Sequence, residues 1–415
     1  MGDIRFTSGE LLNLLGQARS VTSSSVESGH PLANAIDGLA GKPVIFAGGL
    51  TESIEADLAP DLYGDFEGWT GAVPNGWTAD HSGTGAGDED TVNFYAGAAS
   101  AKLEAGASGV AQYYIDREMP SGQEVHLTGQ LRITAGAGSV RVGLQCLQTR
   151  RWLNTAGIWQ DSETGYFRST VTASWDAKAL TASIEAYSVT GVDKVTIRQV
   201  IKSSDDCTAN VDALHIVPTW DVVSIHGHNA DASQAVAVYG GDTAPASNLV
   251  ATGTQPPARP AFFVRASARQ TYRFIKILFP AENVVQLHAG EVVLWQSRTV
   301  SKGWTAAPCT RTPYQTRSMT RAGRQSGVQE GRATRAYELT LMPTTNAEDA
   351  QLFGEMIART EDGLRALVLI PDDSETAVIY GRVPAEPHLS TPRAATTIKD
   401  YTIKVVEDGL PTVGL

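Results

Sequence analysis

The feature that most constrains this chain is a period of two. Glu124-Val125-His126-Leu127-Thr128-Gly129-Gln130-Leu131-Arg132-Ile133 alternates polar and apolar residues without a break. Successive side chains of a strand point to opposite faces, so such a run buries one face and wets the other. Similar alternation recurs at Ser139 to Leu147, Thr170 to Ala173, Ala182 to Tyr187 and Val192 to Val200. Short strands at regular spacing predict a two-sheet sandwich. The length, 415 residues and 44.1 kDa, calls for two or three domains rather than one core. Charged residues are only 19% of the chain and hydrophobic ones 42%, which excludes a disordered chain, and heptads are absent, which excludes a helical bundle. The net charge of −12 argues against general nucleic-acid binding. No apolar run reaches the length of a membrane-spanning helix.

The composition shifts along the chain. Thr7-Ser8-Gly9-Glu10 is a capping-box pattern before Leu11, Leu12, Leu14 and Leu15, which predicts a short helix. From Leu62 to Pro218 the chain is rich in Gly, Ala, Thr and aromatic residues. Beyond Trp220, strands are expected at Val222–Ile225, Ala235–Tyr239, Tyr272–Phe279 and Glu291–Trp295. Residues 298–335 hold eight Lys and Arg against the single acid Glu330. A strand from Tyr337, a helix opened by Thr345-Asn346-Ala347-Glu348, and strands near 365–370, 377–383 and 398–406 predict a C-terminal α+β unit. The fold class expected is mainly β: two β-sandwiches, one inserted in the other, plus this α+β domain.

Resemblances sharpen these boundaries. Ser25-Val26-Glu27-Ser28-Gly29-His30-Pro31-Leu32-Ala33-Asn34-Ala35-Ile36-Asp37-Gly38, then Ile54–Leu58, His226-Gly227-His228-Asn229, Tyr272–Phe279 and Gly290–Leu294, resemble a discoidin-type (coagulation factor 5/8 C-type) sandwich split into 1–61 and 218–297. Between the halves, Gly64-Asp65-Phe66-Glu67-Gly68-Trp69, Pro74-Asn75-Gly76-Trp77, Ser100–Leu103 and Val211–Ile216 resemble a jelly-roll carbohydrate-binding module over 62–217. The segment 298–415, through Arg335–Leu341, Arg365–Pro371 and Tyr380–Val383, resembles minor tail or distal-tail proteins of tailed phages.

The candidate site residues follow. Flat aromatics stack on sugar C–H faces, and Trp152, Trp159 and Tyr166, in a stretch broken by Asn154 and Gly157, are expected to form an exposed platform, with Trp175 as a further candidate. Trp69 and Trp77 read as packing residues. The jelly-roll resemblance raises one cofactor, a structural calcium ion with Asp65, Glu67 and Asp212 as oxygen donors. The basic run, with Arg311, Arg317, Arg321, Arg324 and Arg332, is expected as a loop docking on an acidic neighbouring subunit. His226 and His228 are expected in a turn or core role. Cys146, Cys207 and Cys309 form no metal motif; they read as thiols, with a Cys146–Cys207 pair left open.

No hydrolase, metalloprotease or nucleotide-binding motif occurs, so no enzyme activity is expected. The resemblances imply a structural component of a phage tail tip or baseplate. It would be located in the virion and made in the host cytoplasm, since no leader pattern opens the chain. Its partners would be other tail proteins, copies of itself in a symmetric ring, and a host-surface glycan, with no nucleic acid. The alternatives are a secreted glycan-active enzyme or its accessory module, and a tail decoration that binds nothing.

Overall fold

The computed structural model describes residues 13–24, 26–36, 44–47, 51–59, 63–172, 174–187, 194–228, 235–254, 261–280 and 287–300, and strand backbone at nine sites outside these, from 4–6 to 401–407. The chain divides into two compact units: residues 59–219, and residues 1–58 together with 220–415. Among the described strands, no sheet draws from both units.

The 59–219 unit is a sandwich of antiparallel sheets. Its strands are β1 (Thr78–Ala79), β2 (Ala86–Asp90), β3 (Ser100–Ala105), β4 (Val110–Pro120), β5 (Glu124–Gly136) and β6 (Ser139–Cys146). The second half contributes β7 (Trp152–Leu153), β8 (Trp159–Gln160), β9 (Phe167–Ser169), β10 (Asp176–Ser183), β11 (Lys194–Ser204) and β12 (Cys207–Pro218). The front sheet has the order β8-β7-β6-β11-β4-β1, with β9 also on β6; the back sheet has the order β10-β5-β12-β3-β2. Alternation explains the layering. On β5, Val125, Leu127, Gly129, Leu131 and Ile133 are buried and the residues that alternate with them are only half-buried. The apolar side chains among them meet Tyr113 and Ile115 of β4, Val140, Val142 and Leu144 of β6, and Ile197 and Ile201 of β11 in one core. A slip of one residue would turn a strand's apolar set to solvent, so this pattern fixes the register.

Polar atoms of the core aromatics find partners inside it. The Tyr113 hydroxyl donates to the Ala72 carbonyl at 2.6 Å, and the indoles of Trp69 and Trp77 donate to the carbonyls of Phe66 and Tyr63 at 2.7 and 2.8 Å. A buried donor without an acceptor costs about 1–3 kcal/mol, which these bonds avoid. Cys146 and Cys207 are buried free thiols, so the pairing left open does not form.

The second unit carries two further antiparallel sheets. One orders strands Ala261–Gln270, Trp220–His226 and Glu291–Trp295; the other orders Ser20–Ser23, Thr51–Asp57, Phe274–Pro280, Ala235–Gly241 and Asn248–Thr254. The short helix is present at Leu14–Gln17, capped by Asn13, whose side chain accepts from the Leu15 amide. The capping box at 7–10 lies outside the described residues. His226 is buried at the end of its strand, and His228 is half-buried just beyond it. Burial holds their imidazoles neutral, down to about 3 and about 4, and His226 also contacts the Ser224 hydroxyl at 3.0 Å.

A third sheet of this unit runs from Arg298–Val300 through Ile4–Phe6, Ala366–Ile370, Ile379–Arg382 and Tyr401–Glu407 to Thr334–Leu341 and Trp304–Ala306. Two expectations change here. The segment 4–6, counted with the discoidin-like half, pairs instead with 298–300 and 366–370. The C-terminal part shows only strands: the helix expected near 345–357 lies outside the described residues, and an α+β domain is not what the described part shows.

Candidate functional site

The outward face of the front sheet can be read from its register. Three rows of residues cross it. The middle row is Tyr114 on β4, Val200 on β11 and Gly143 on β6. One flanking row is Asp116, Arg198, Gln145 and Trp152. The other is Gln112, Lys202, Arg141 and Arg168.

Trp152 lies on this face as a slab. A Cβ added at Gly143 would come within 2.9 Å of Cζ3 of the Trp152 ring and 3.3 Å of the Thr164 carbonyl oxygen. The bare backbone at 143 is therefore what lets the indole rest against the sheet. Two strands away, the Arg198 guanidinium sits 4.1 Å from the Tyr114 ring centroid. It is held there by a two-point bond to Asp116, Nε to Oδ1 at 2.7 Å and Nη2 to Oδ2 at 2.8 Å. Such a fork is planar and pre-organised, and it leaves other N–H groups free for a ligand.

What separates these two aromatics from the packed ones of the same unit is the state of their polar ends. Trp69, Trp77, Tyr113, Trp159 and Tyr166 all use theirs inside the fold. Trp152 and Tyr114 are only half-buried, and among the described residues neither indole N–H nor phenol hydroxyl has a hydrogen-bond partner. A flat apolar ring with an unused polar edge suits a pyranose, which offers a C–H face and a rim of hydroxyls.

The four aromatics expected as a platform do not share one face. Trp152 is on it. Trp159 is 8% exposed, packs in the core, and donates its indole N–H to the Ser183 carbonyl at 2.8 Å. Tyr166 is 2% exposed and its hydroxyl accepts from Gln199 at 3.0 Å. Both therefore leave the exposed platform. Chain breaks at Asn154 and Gly157 suggested a loop, but 152–160 is a two-strand turn whose second strand tucks its side chain inward. Trp175 precedes β10 of the back sheet and packs edge-on to Tyr95 at 6.0 Å, apart from Trp152. Sequence reasoning missed Tyr114, Arg198, Asp116, Lys202, Arg141, Arg168 and Glu163. The signal for the first was present: Gln112, Tyr114, Asp116 and Glu118 recur at period two on an unrecognised strand.

The calcium donors are occupied otherwise. Asp212 accepts backbone N–H groups from Tyr95, Ala96 and Ala213 at 2.7–3.1 Å, and burial pushes its carboxyl up to about 6. Both oxygens of Glu67 accept from the Ala98 amide, and Asp65 faces the His215 ring at 3.2 Å. Asp212 and Glu67 thus hold the 95–98 part of the loop through its backbone N–H groups, while Asp65 is turned to His215. Among the described residues no three His, Cys, Asp or Glu side chains are arranged to hold a metal.

The arginine run is not one loop. Strands occupy Thr310–Thr312, Gln315–Met319 and Gln325–Gln329, the last two forming a hairpin. Arg311 and Arg317 stand on these strands; Arg321, Arg324 and Arg332 lie outside the described residues.

No family model and no curated protein matches the chain. Among solved structures it is similar to the CBM22-1 xylan-binding domain from Paenibacillus barcinonensis Xyn10C, at 16% identity over 36% of this chain and 88% of that one, with a TM-score of 0.24. The C-terminal family 22 carbohydrate-binding module of Clostridium thermocellum Xyn10B gives 17% identity over 38% and 97%, with a TM-score of 0.26. The enzymatically active domain of bacteriophage CBA120 tailspike protein 4 gives 12% identity over 35% and 19%, also with a TM-score of 0.26.

Proposed function

We propose that this chain is a glycan-binding protein, and that the outward face of its front sheet holds a polysaccharide. The observation that carries this reading is the Trp152 indole resting on Gly143 with its N–H unused, on the same sheet face as Tyr114 and its clamped Arg198. The reading is of binding, not catalysis. A glycosidase needs one carboxyl kept protonated as the acid. On this face Asp116 is tied to Arg198, and the Lys202 ammonium holds Glu163 below the usual carboxylate range.

The wider setting we infer is a tail tip or baseplate of a tailed phage, with the chain part of the virion and repeated around a symmetric ring. The resemblance of 298–415 to tail proteins and the arginine-bearing hairpin support it. Repetition around a ring would turn weak single sites into firm attachment through effective concentration. Immunogold labelling of particles with antibodies to the chain tests this setting; label absent from the tail would end it.

The glycan reading is tested by native affinity electrophoresis of the full chain through gels containing soluble polysaccharides. Retardation by at least one polymer is expected, with Trp152→Ala weakening it tenfold or more, from ~1.5–3 kcal/mol of ring burial. An unretarded native chain, or a Trp152→Ala chain retarded like the native one, would overturn it.

A further inference from the structure

The row Gln112-Lys202-Arg141-Arg168 has a property that sheet stability does not explain. Arg168 and Arg141 are direct cross-strand partners, and so are Arg141 and Lys202. Like charges placed directly opposite destabilise an antiparallel pair. One carboxylate stands against three cations and reaches two of them: Glu163 lies 2.9 Å from Lys202 Nζ and 3.5 Å from Arg141 Nη2. Arg168 is exposed and, among the described residues, has no ion pair or hydrogen bond. The positive excess is local. Arg198 in the flanking row has Asp116, and at the far end Gln112 donates to Asp80. The excess also borders the aromatic slab, because the segment 163–165 that brings Glu163 to the row also sets the Thr164 carbonyl over Gly143, where the Trp152 ring also rests.

We propose that this row is an anion subsite and that the ligand is an acidic polysaccharide. One sugar ring lies on Trp152 while its carboxylate, or a phosphodiester oxygen of the same chain, is received by Arg168 and Arg141. This assignment rests on the glycan reading above and narrows it. Guanidinium forks match carboxylate and phosphate at two points, which suits them to this task. Glu163 then acts as a stand-in anion: it keeps Lys202 and Arg141 in place when the face is empty and competes with the ligand when it is filled. That gives the proposal an outcome with opposite signs. Removing a cation weakens binding, and removing the Glu163 charge strengthens it.

The test uses the full chain in affinity gels containing glucuronoxylan, polygalacturonate or alginate, each beside its carboxyl-reduced form, and a poly(glycerol phosphate). The expected result is stronger retardation by an anionic polymer than by any reduced one, falling as salt rises. Arg168→Gln should weaken it about tenfold, the scale of one charge-assisted bond, and Glu163→Gln should strengthen it severalfold. Both residues are solvent-facing, and an unchanged thermal midpoint confirms that the variants are folded. Retardation by the phosphate polymer alone, lost in Arg168→Gln, would identify the anion as a phosphodiester. Equal retardation by carboxylated and reduced polymers, unaffected by either substitution, would overturn the anion subsite and leave the glycan reading standing. Retardation by none of them would remove both.

Discussion

Trp152 and Trp159 stand on the two strands of one short hairpin, in adjacent register pairs (Trp152 with Gln160, Leu153 with Trp159), and have opposite fates. Trp159 is sealed in the core with its N–H on Ser183, so Trp159→Ala should cost about 3–5 kcal/mol, read as a lower urea midpoint. Trp152→Ala should leave that midpoint nearly unchanged and remove glycan retention instead. Gly143 gives a second handle on the same slab. Gly143→Val should lift the indole and weaken retention while every aromatic stays in place, because the new Cβ would fall 2.9 Å from the ring. If Gly143→Val is folded and binds like the native chain, the slab is not the contact. The candidate site was half legible at this scale. Aromatic abundance in 62–217 signalled a stacking surface, but composition cannot say which indole is turned out. That depends on which strand edge supplies an acceptor for its N–H, as Ser183 does for Trp159.

Strand β5 was legible because its alternation is complete; β4 and β10 were not, for different reasons. On β4 the pair Tyr113-Tyr114 blurs the alternation, since one ring is core and its neighbour is surface. On β10, Asp176-Ala177-Lys178-Ala179 has little intrinsic strand preference and is held by pairing with β5. The 91–98 loop teaches a similar lesson. The acids that face it, Glu67 and Asp212, were not legible as amide acceptors, because oxygen-rich positions at both ends of a module fit either a cation or a set of amides. Asp212→Ala would remove the acceptor of the Tyr95 and Ala96 amides. Hydrogen exchange at those two amides should then rise, with the rest of the back sheet unaffected. Unchanged protection would mean that the carboxylate does not hold the loop.

Asp212 in one unit and the buried histidines in the other answer acid in opposite senses, with His81, held down by burial, working against Asp212 within the 59–219 unit. In the 59–219 unit, burial raises Asp212 from its ordinary 3.8 to about 6, so between those values the folded state holds the extra proton and its contribution to stability rises as pH falls. Below that range Asp90, whose hydrogen bonds from Asn93, Asn210 and Val92 outweigh its partial burial and hold it at about 2, reverses the trend. In the other unit, His226 and His228 are neutral when folded and would take protons only when unfolded, so stability is lost as pH drops below 6.5. Calorimetry at pH 7.5 and pH 5 should show one transition moving down and the other holding or moving up; two transitions falling together would contradict the assignment. The nested plan has one more consequence. Because the 59–219 unit joins its host at both Ala59 and Thr219, it is held by two covalent threads rather than one. A protease that severs either junction leaves the other intact, so shedding the module takes two cuts.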